Sequence, residues 1–163
     1  MSQTKILKAE QLKSLGESLR DAGRNVVWTN GCFDILHLGH VRSLQAARDL
    51  GDVLVVGLNS DASVRRLKGP ERPIFAELER AEMLAALACV DYVVVFDEST
   101  PEASLSQLRP QVHCKGADYA PGSGRAIPEA ALVESYGGRV AFLPLVEGLS
   151  TTALIGRLRE ERK

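Results

Sequence analysis

The sequence predicts an α/β fold, a doubly wound parallel sheet of about five strands with helices on both faces. Short apolar strands alternate with helical patterns along the chain. The clearest strand, Val53 to Leu58, is a continuous β-branched run of the kind covered on both faces. Parallel neighbours require crossover helices, and ligands of such sheets sit at the carboxyl ends of the strands.

Ala9 to Ala22 places Leu12, Leu15 and Leu19 at helical spacing before the stop at Gly23. Val26 to Thr29 is a short strand. Val41 to Leu50 is a helix with Val41, Leu44, Ala47 and Leu50 on one face, ended by Gly51. Val53 to Leu58 comes next as a strand, then Glu77 to Ala88 as a strong helix and Tyr92 to Phe96 as another buried strand. Pro101 to Leu108 is a short helix with proline in its first turn. Val112 to Lys115 and Val140 to Leu143 are strands, separated by a helix from Pro128 to Tyr136 that ends at Gly137-Gly138. Ser150 to Glu160 closes the chain as a helix. The stretch Ala117 to Ala126, rich in Gly and Pro, is a surface loop, either a simple connection or a lid.

The 163 residues suggest one domain, residues 1–163. Twenty Lys and Arg against 21 Asp and Glu leave a net charge of −1, and the aromatics number eight. No basic excess speaks for a nucleic-acid partner, so any anion site must be local. Cys32, Cys89 and Cys114 are an odd set without CxxC spacing, read as reduced and structural. The N-terminus carries charges where a signal peptide needs an apolar core, and no apolar run approaches the roughly 20 residues of a membrane span. A cytoplasmic protein without a membrane partner is expected.

GxxxxGK[ST] is absent, and Gly122-Ser123-Gly124 lacks both the preceding strand and the third glycine of a dinucleotide fingerprint. The first strand instead runs into Thr29-Asn30-Gly31-Cys32-Phe33-Asp34-Ile35-Leu36-His37-Leu38-Gly39-His40, which leads into a helix. Backbone N–H groups at a helix N-terminus lack partners and the helix dipole favours anions there. His37 and His40 add side-chain donors to that cradle, and Gly39 lets a ligand approach the backbone. A histidine pair also suits a metal, with Cys32 as third ligand, but no convincing fourth ligand exists and no metal site is assigned. Ser150, Thr151 and Thr152 place three hydroxyls at the start of the last helix, where they cap it or donate to a phosphate.

The segment Thr29 to His40 resembles the HxGH segment of the nucleotidyltransferase superfamily, and Glu147-Gly148-Leu149-Ser150-Thr151-Thr152 is similar to its C-terminal Ser/Thr motif. Further segments, in order, resemble the adenylyltransferases of ADP-heptose synthesis: Asn59-Ser60-Asp61, Arg66-Leu67-Lys68-Gly69, Arg72-Pro73-Ile74, Arg80-Ala81-Glu82, Cys89 to Val94 and Cys114 to Tyr119. The resemblance implies a Rossmann-like fold and transfer of AMP from ATP to D-glycero-D-manno-heptose 1-phosphate, giving ADP-heptose and pyrophosphate. It also implies a stand-alone form without a kinase domain, Mg²⁺ carried with ATP, and a homodimer.

On that resemblance His37, His40, Lys68 and Arg80 are the catalytic candidates. Thr29, Asn30, Gly31, Phe33, Gly39, Asn59, Asp61, Lys115, Gly116, Asp118, Ser150, Thr151 and Thr152 are the nucleotide-binding candidates. Lys115 and Asp34 are candidates for the sugar phosphate; Asp34 is equally suited to ordering its loop or capping the next helix. The rival activity is a cytidylyltransferase acting on glycerol 3-phosphate or another small alcohol phosphate. Cytidylyltransferases usually carry an Arg-Thr pair before their Gly-Ile-Ser-Thr stretch, where this chain has Leu145-Val146-Glu147-Gly148-Leu149-Ser150. A second departure is Glu71-Arg72-Pro73-Ile74-Phe75, where the heptose enzymes often carry Gly before the Arg and Asn after the Ile.

Overall fold

The computed structural model describes residues 3–144 and 151–160. In chain order the elements are β1 (Ile6–Leu7), α1 (Leu12–Asp21), β2 (Val26–Gly31), α2 (Leu38–Arg48), β3 (Val53–Asn59), α3 (Asp61–Lys68) and α4 (Glu77–Ala85). They continue as β4 (Tyr92–Phe96), α5 (Glu102–Leu108), β5 (Val112–Gly116), α6 (Ala130–Ser135), β6 (Arg139–Leu143) and α7 (Thr151–Glu160).

Among the described residues six strands form one parallel sheet in the order β1-β4-β3-β2-β5-β6. The sheet is the doubly wound, Rossmann-like one that the alternation predicts, with one more strand than the expected five. The extra strand is β1, two residues between Lys5 and Lys8, too short to show any periodicity. Successive strands step outward from β2 through β3 to β4, and the chain then returns to the other side of β2 as β5. The order reverses between β2 and β5, so a crevice opens beyond the carboxyl ends of these two strands.

Alternation along the strands divides the core into two layers. Leu54, Val56 and Leu58 of β3 join Val27, Leu44, Ala47, Ala81 and Leu84 in a layer under α2 and α4. Val53 and Val55 point the other way and join Trp28, Leu12, Leu105, Leu108 and Val133 under α1, α5 and α6. All seven residues of β3 are buried, which is why the run carries no polar side chain until its last position, Asn59.

Trp28 is fully buried, and its ring lies across Gly57 of β3. A Cβ at Gly57 would sit 2.3 Å from the ring. The helix α3 has no counterpart among the elements expected from sequence, because half of Asp61 to Lys68 is charged and it offers little apolar stripe. Its start is nonetheless marked by Ser60, whose side chain accepts from the Ser63 N–H at 3.0 Å as an N-cap. Lys68 therefore ends a helix.

Because the indole is rigid and its neighbours are close-packed, Gly57→Ala should destabilise the protein by about 2 kcal/mol. A urea or thermal unfolding curve checks this, with Trp28 fluorescence as the probe.

Candidate functional site

The chain leaves β2 through Cys32 and Phe33, and Phe33 adopts a left-handed backbone at φ 43°. The extended residue His37 then caps α2 at φ −139° and ψ 169° without a side-chain capping bond. The helix starts at Leu38, one turn earlier than apolar spacing alone indicates, so Gly39 and His40 lie in its first turn. The Val41 N–H closes that turn on the His37 carbonyl at 3.2 Å, and the backbone N–H groups before it have no intrahelical acceptor. This geometry stacks the two imidazoles, with centroids 3.8 Å apart and planes at 22°. The Phe33 ring meets His40 edge-on at 5.2 Å.

Burial, and secondarily the facing His37, hold His40 at about 4, well below the ordinary imidazole value of 6.5. Burial lowers His37 as well. Both rings are therefore neutral at pH 7 before any ligand binds. The Nδ1 atoms of both are buried without a protein partner.

The cleft above the histidines encloses about 890 Å³. The N-terminus of α7 reaches the same place: the Thr151 hydroxyl donates to the Ile35 carbonyl at 3.4 Å, bringing the second helix N-terminus beside the first. Thr152 also lines the cleft. Lys68 and Arg72 stand on one side and Lys115, Gly116, Asp118 and Tyr119 on the other. Burial pushes the Cys32 thiol up despite the opposing pull of Lys68, Arg80 and Arg72, so this wall residue is not poised as a thiolate.

A family model described as cytidylyltransferase-like matches residues 28–157. The chain belongs to the cytidylyltransferase-like family. The bifunctional protein HldE of Syntrophotalea carbinolica is 57% identical over 155 residues, which cover 95% of this chain and 31% of that protein. HldE of Trichlorobacter lovleyi is 54% identical over 159 residues, covering 98% of this chain and 32% of that protein. This chain thus spans about a third of the length of these curated relatives. A solved lipopolysaccharide core biosynthesis protein from Thermoplasma volcanium superposes with a TM-score of 0.60 at 31% identity, over 76% of this chain and 98% of that one.

Of the candidate residues named from the sequence, the structure gathers most around one cleft. His37, His40 and Lys68 line it, as do Thr29, Asn30, Gly31, Phe33 and Asn59 from the β2 and β3 ends and Gly39 from the first turn of α2. Lys115, Gly116, Asp118, Thr151 and Thr152 complete it, while Ser150 falls outside the described residues.

Three candidates behave differently. Arg80 is fully buried and does not line the cleft. Its guanidinium donates to the carbonyls of Phe75 (3.0 Å), Cys32 (2.6 Å) and Asn59 (2.9 Å) and to Asp61 (2.8 Å). Asp61 pairs with Arg80 and lines a separate groove rather than the cleft. In this structure neither residue of the pair lines the cleft, and the pair holds the backbone from which the cleft walls are built. Asp34 keeps a place on the wall, but its carboxylate is buried and already engaged. Oδ2 accepts from Arg72 Nε at 2.5 Å, and Oδ1 accepts from the N–H groups of Ile74 (2.7 Å) and Phe75 (3.2 Å). Of the roles open to Asp34, the structure takes loop ordering rather than sugar contact.

Two wall residues have no role that the sequence alone assigns. Arg72 belongs to a segment resembling the heptose enzymes, but only the Asp34 bond shows that its head group is turned to the cleft wall. Glu129 reads as an ordinary acid near a helix start, and nothing in its spacing announces its buried partners His113 and Lys115. Among the described residues no three His, Cys, Asp or Glu side chains are grouped to hold a metal ion. No helix among them is long and apolar enough to cross a membrane.

Unfolded His40 takes up a proton near pH 6.5 whereas folded His40 resists until about pH 4, so its share of stability is complete above pH 6.5 and is lost as pH falls toward 4. His40→Gln should flatten the stability profile in that window, measured by urea unfolding at stepped pH. Arg80→Lys, which strands buried carbonyls and Asp61, should cost about 3 kcal/mol of stability. Lys68→Met, at an exposed position, should change stability by less than about 0.5 kcal/mol in the same assay.

Proposed function

We propose that this chain transfers AMP from ATP to D-glycero-D-manno-heptose 1-phosphate, yielding ADP-heptose and pyrophosphate. The observation that carries the reading is the stacked His37–His40 pair at the N-terminus of α2, with the α7 N-terminus tied beside it by Thr151. Two converging helix N-termini with neutral imidazole donors form a cradle for a polyphosphate. Family membership supports nucleotidyl transfer, and the sugar is supported by the HldE relatives, the lipopolysaccharide core neighbour and the segments resembling ADP-heptose adenylyltransferases.

The acceptor phosphate is already an anionic nucleophile, so the protein has little covalent chemistry to perform. A sugar phosphate oxygen attacks the α-phosphorus of ATP, forming a new P–O bond, while the bond to the α–β bridging oxygen breaks and pyrophosphate leaves with its electron pair. His37 and His40 donate to phosphate oxygens as charge shifts toward the leaving group, and Lys68 adds a positive charge at the mouth. Thr151 and Thr152 hold the departing phosphates, with Ser150 assigned to the same role. Thr29, Asn30, Gly31, Phe33, Gly39, Asn59, Gly116 and Asp118 enclose the nucleotide. Arg80 acts at one remove, by fixing the carbonyls from which the walls are built.

The carboxylates on the cleft wall are engaged by Arg72, Arg125, His113 and Lys115. That donor set fits Mg²⁺ carried on the triphosphate better than Mg²⁺ in a protein cage. When bound it supplies neutralisation of phosphate charge. The enzyme is read as a cytoplasmic homodimer acting on small phosphorylated substrates.

A pyrophosphate-release assay with each nucleoside triphosphate, alone, with heptose 1-phosphate or with glycerol 3-phosphate, tests the reading. Turnover only with ATP and the heptose phosphate is expected; turnover with CTP and glycerol 3-phosphate overturns it in favour of the cytidylyltransferase. His40→Ala should lower kcat by about a hundredfold or more while the protein remains folded at neutral pH.

A further inference from the structure

Glu129 is a buried carboxylate that nonetheless reaches the cleft wall, with its side chain only 1% exposed. A single oxygen, Oε1, meets both the His113 ring nitrogen Nε2 at 2.9 Å and Lys115 Nζ at 2.5 Å. Burial by itself would raise this carboxyl, but the bonds from His113 and Lys115 outweigh it and hold the group at about 2. The acid is therefore an anion at neutral pH.

The geometry comes from the strand. His113 and Lys115 are two residues apart on β5, so their side chains leave the same face of the sheet. Glu129, just before α6, sits where one carboxylate reaches both. His113 lies fully inside, whereas Lys115 opens onto the cleft beside the point where the strand order reverses. The Tyr119 ring lies 5.3 Å from the same ammonium. A flexible four-carbon side chain is thus held by a carboxylate and an aromatic face, and an ammonium has three N–H donors to distribute.

We propose that Glu129 is a positioning residue for nucleotidyl transfer, anchored by His113, which aims the Lys115 ammonium at a phosphate of the bound ligand. This rests on the transferase reading above. A buried ion pair is seldom retained for stability, since apolar residues of similar volume serve a core as well. What it gives here is direction: the carboxylate cancels the ammonium charge until a ligand arrives and leaves its remaining N–H groups fixed. The phosphate belongs either to ATP or to the sugar 1-phosphate, and separate substrate titrations tell them apart.

The test is a double-mutant cycle on Glu129→Gln and Lys115→Met, read by pyrophosphate release with ATP and heptose 1-phosphate varied in turn. Glu129→Gln should raise KM for one of the two substrates about tenfold or more with kcat within about threefold. The double variant should be no worse than Lys115→Met alone, and Glu129→Asp should recover part of the loss. Unchanged KM values, or losses that multiply in the double variant, overturn the proposal. The wild-type protein offers a second readout, independent of turnover and of how any variant folds: ¹⁵N-edited NMR of the Lys115 ammonium. A resonance slowed in exchange by its carboxylate partner is expected, and a freely exchanging ammonium overturns the positioning role. Absence of turnover in the wild type would instead sink the transferase reading and leave the NMR result to decide the Lys115–Glu129 contact.

Discussion

The Arg80 guanidinium lies in the interior and donates at once to the backbone at the end of β2, to the last residue of β3, to the first residue of α3 and to the loop before α4. Burying a cation is costly unless its donors are matched, and here three carbonyls and a carboxylate match them. Those same acceptors are the places where the chain turns away from the sheet to form the cleft. The histidine segment, the Asn59 wall and the loop that Asp34 holds through Arg72, Ile74 and Phe75 all inherit their positions from this one group.

A chain of net charge −1 makes room for a polyanion through placement. The wall cations are largely answered by carboxylates: Arg72 by Asp34, Lys115 by Glu129. Beside Lys68 at the mouth and the ammonium of Lys115, most of what is directed at the cleft is dipoles and hydrogen-bond donors, namely two helix N-termini, two neutral imidazoles and threonine hydroxyls. Such groups are already oriented when a ligand arrives, and they act more strongly in a site shielded from water than on an open surface.

Much of this is legible in the sequence because it depends on local patterns. Strand and helix alternation arises from burial on both faces, and the HxGH segment sits between an apolar strand and a helix, where a phosphate cradle forms. The features that cannot be read there depend on contacts distant in the chain. Arg80 has the residue type of a phosphate ligand, but its acceptors include the carbonyls of Cys32 and Asn59, 48 and 21 residues away, and the Asp61 carboxylate, which hold it inside. Asp34 is similar, its partners lying 38 to 41 residues on. The α3 helix escapes notice because its stability comes from a cap and one buried valine more than from an apolar stripe. Glu129 escapes it because a carboxylate near a helix start is ordinarily solvated.

The two-residue strand β1 has a bearing on solubility. It pairs Ile6 with Val93 and Leu7 with Val94, on the edge of Tyr92-Val93-Val94-Val95-Phe96, a run of strong β-formers without a charge. An uncovered strand of that kind is a template for pairing with another chain. Lys5 fastens the cover in place, its ammonium donating to the carbonyls of Val90 at 2.7 Å and Leu87 at 3.3 Å. Lys5 to Leu7 thus cover an edge that would otherwise be open to pairing with another chain.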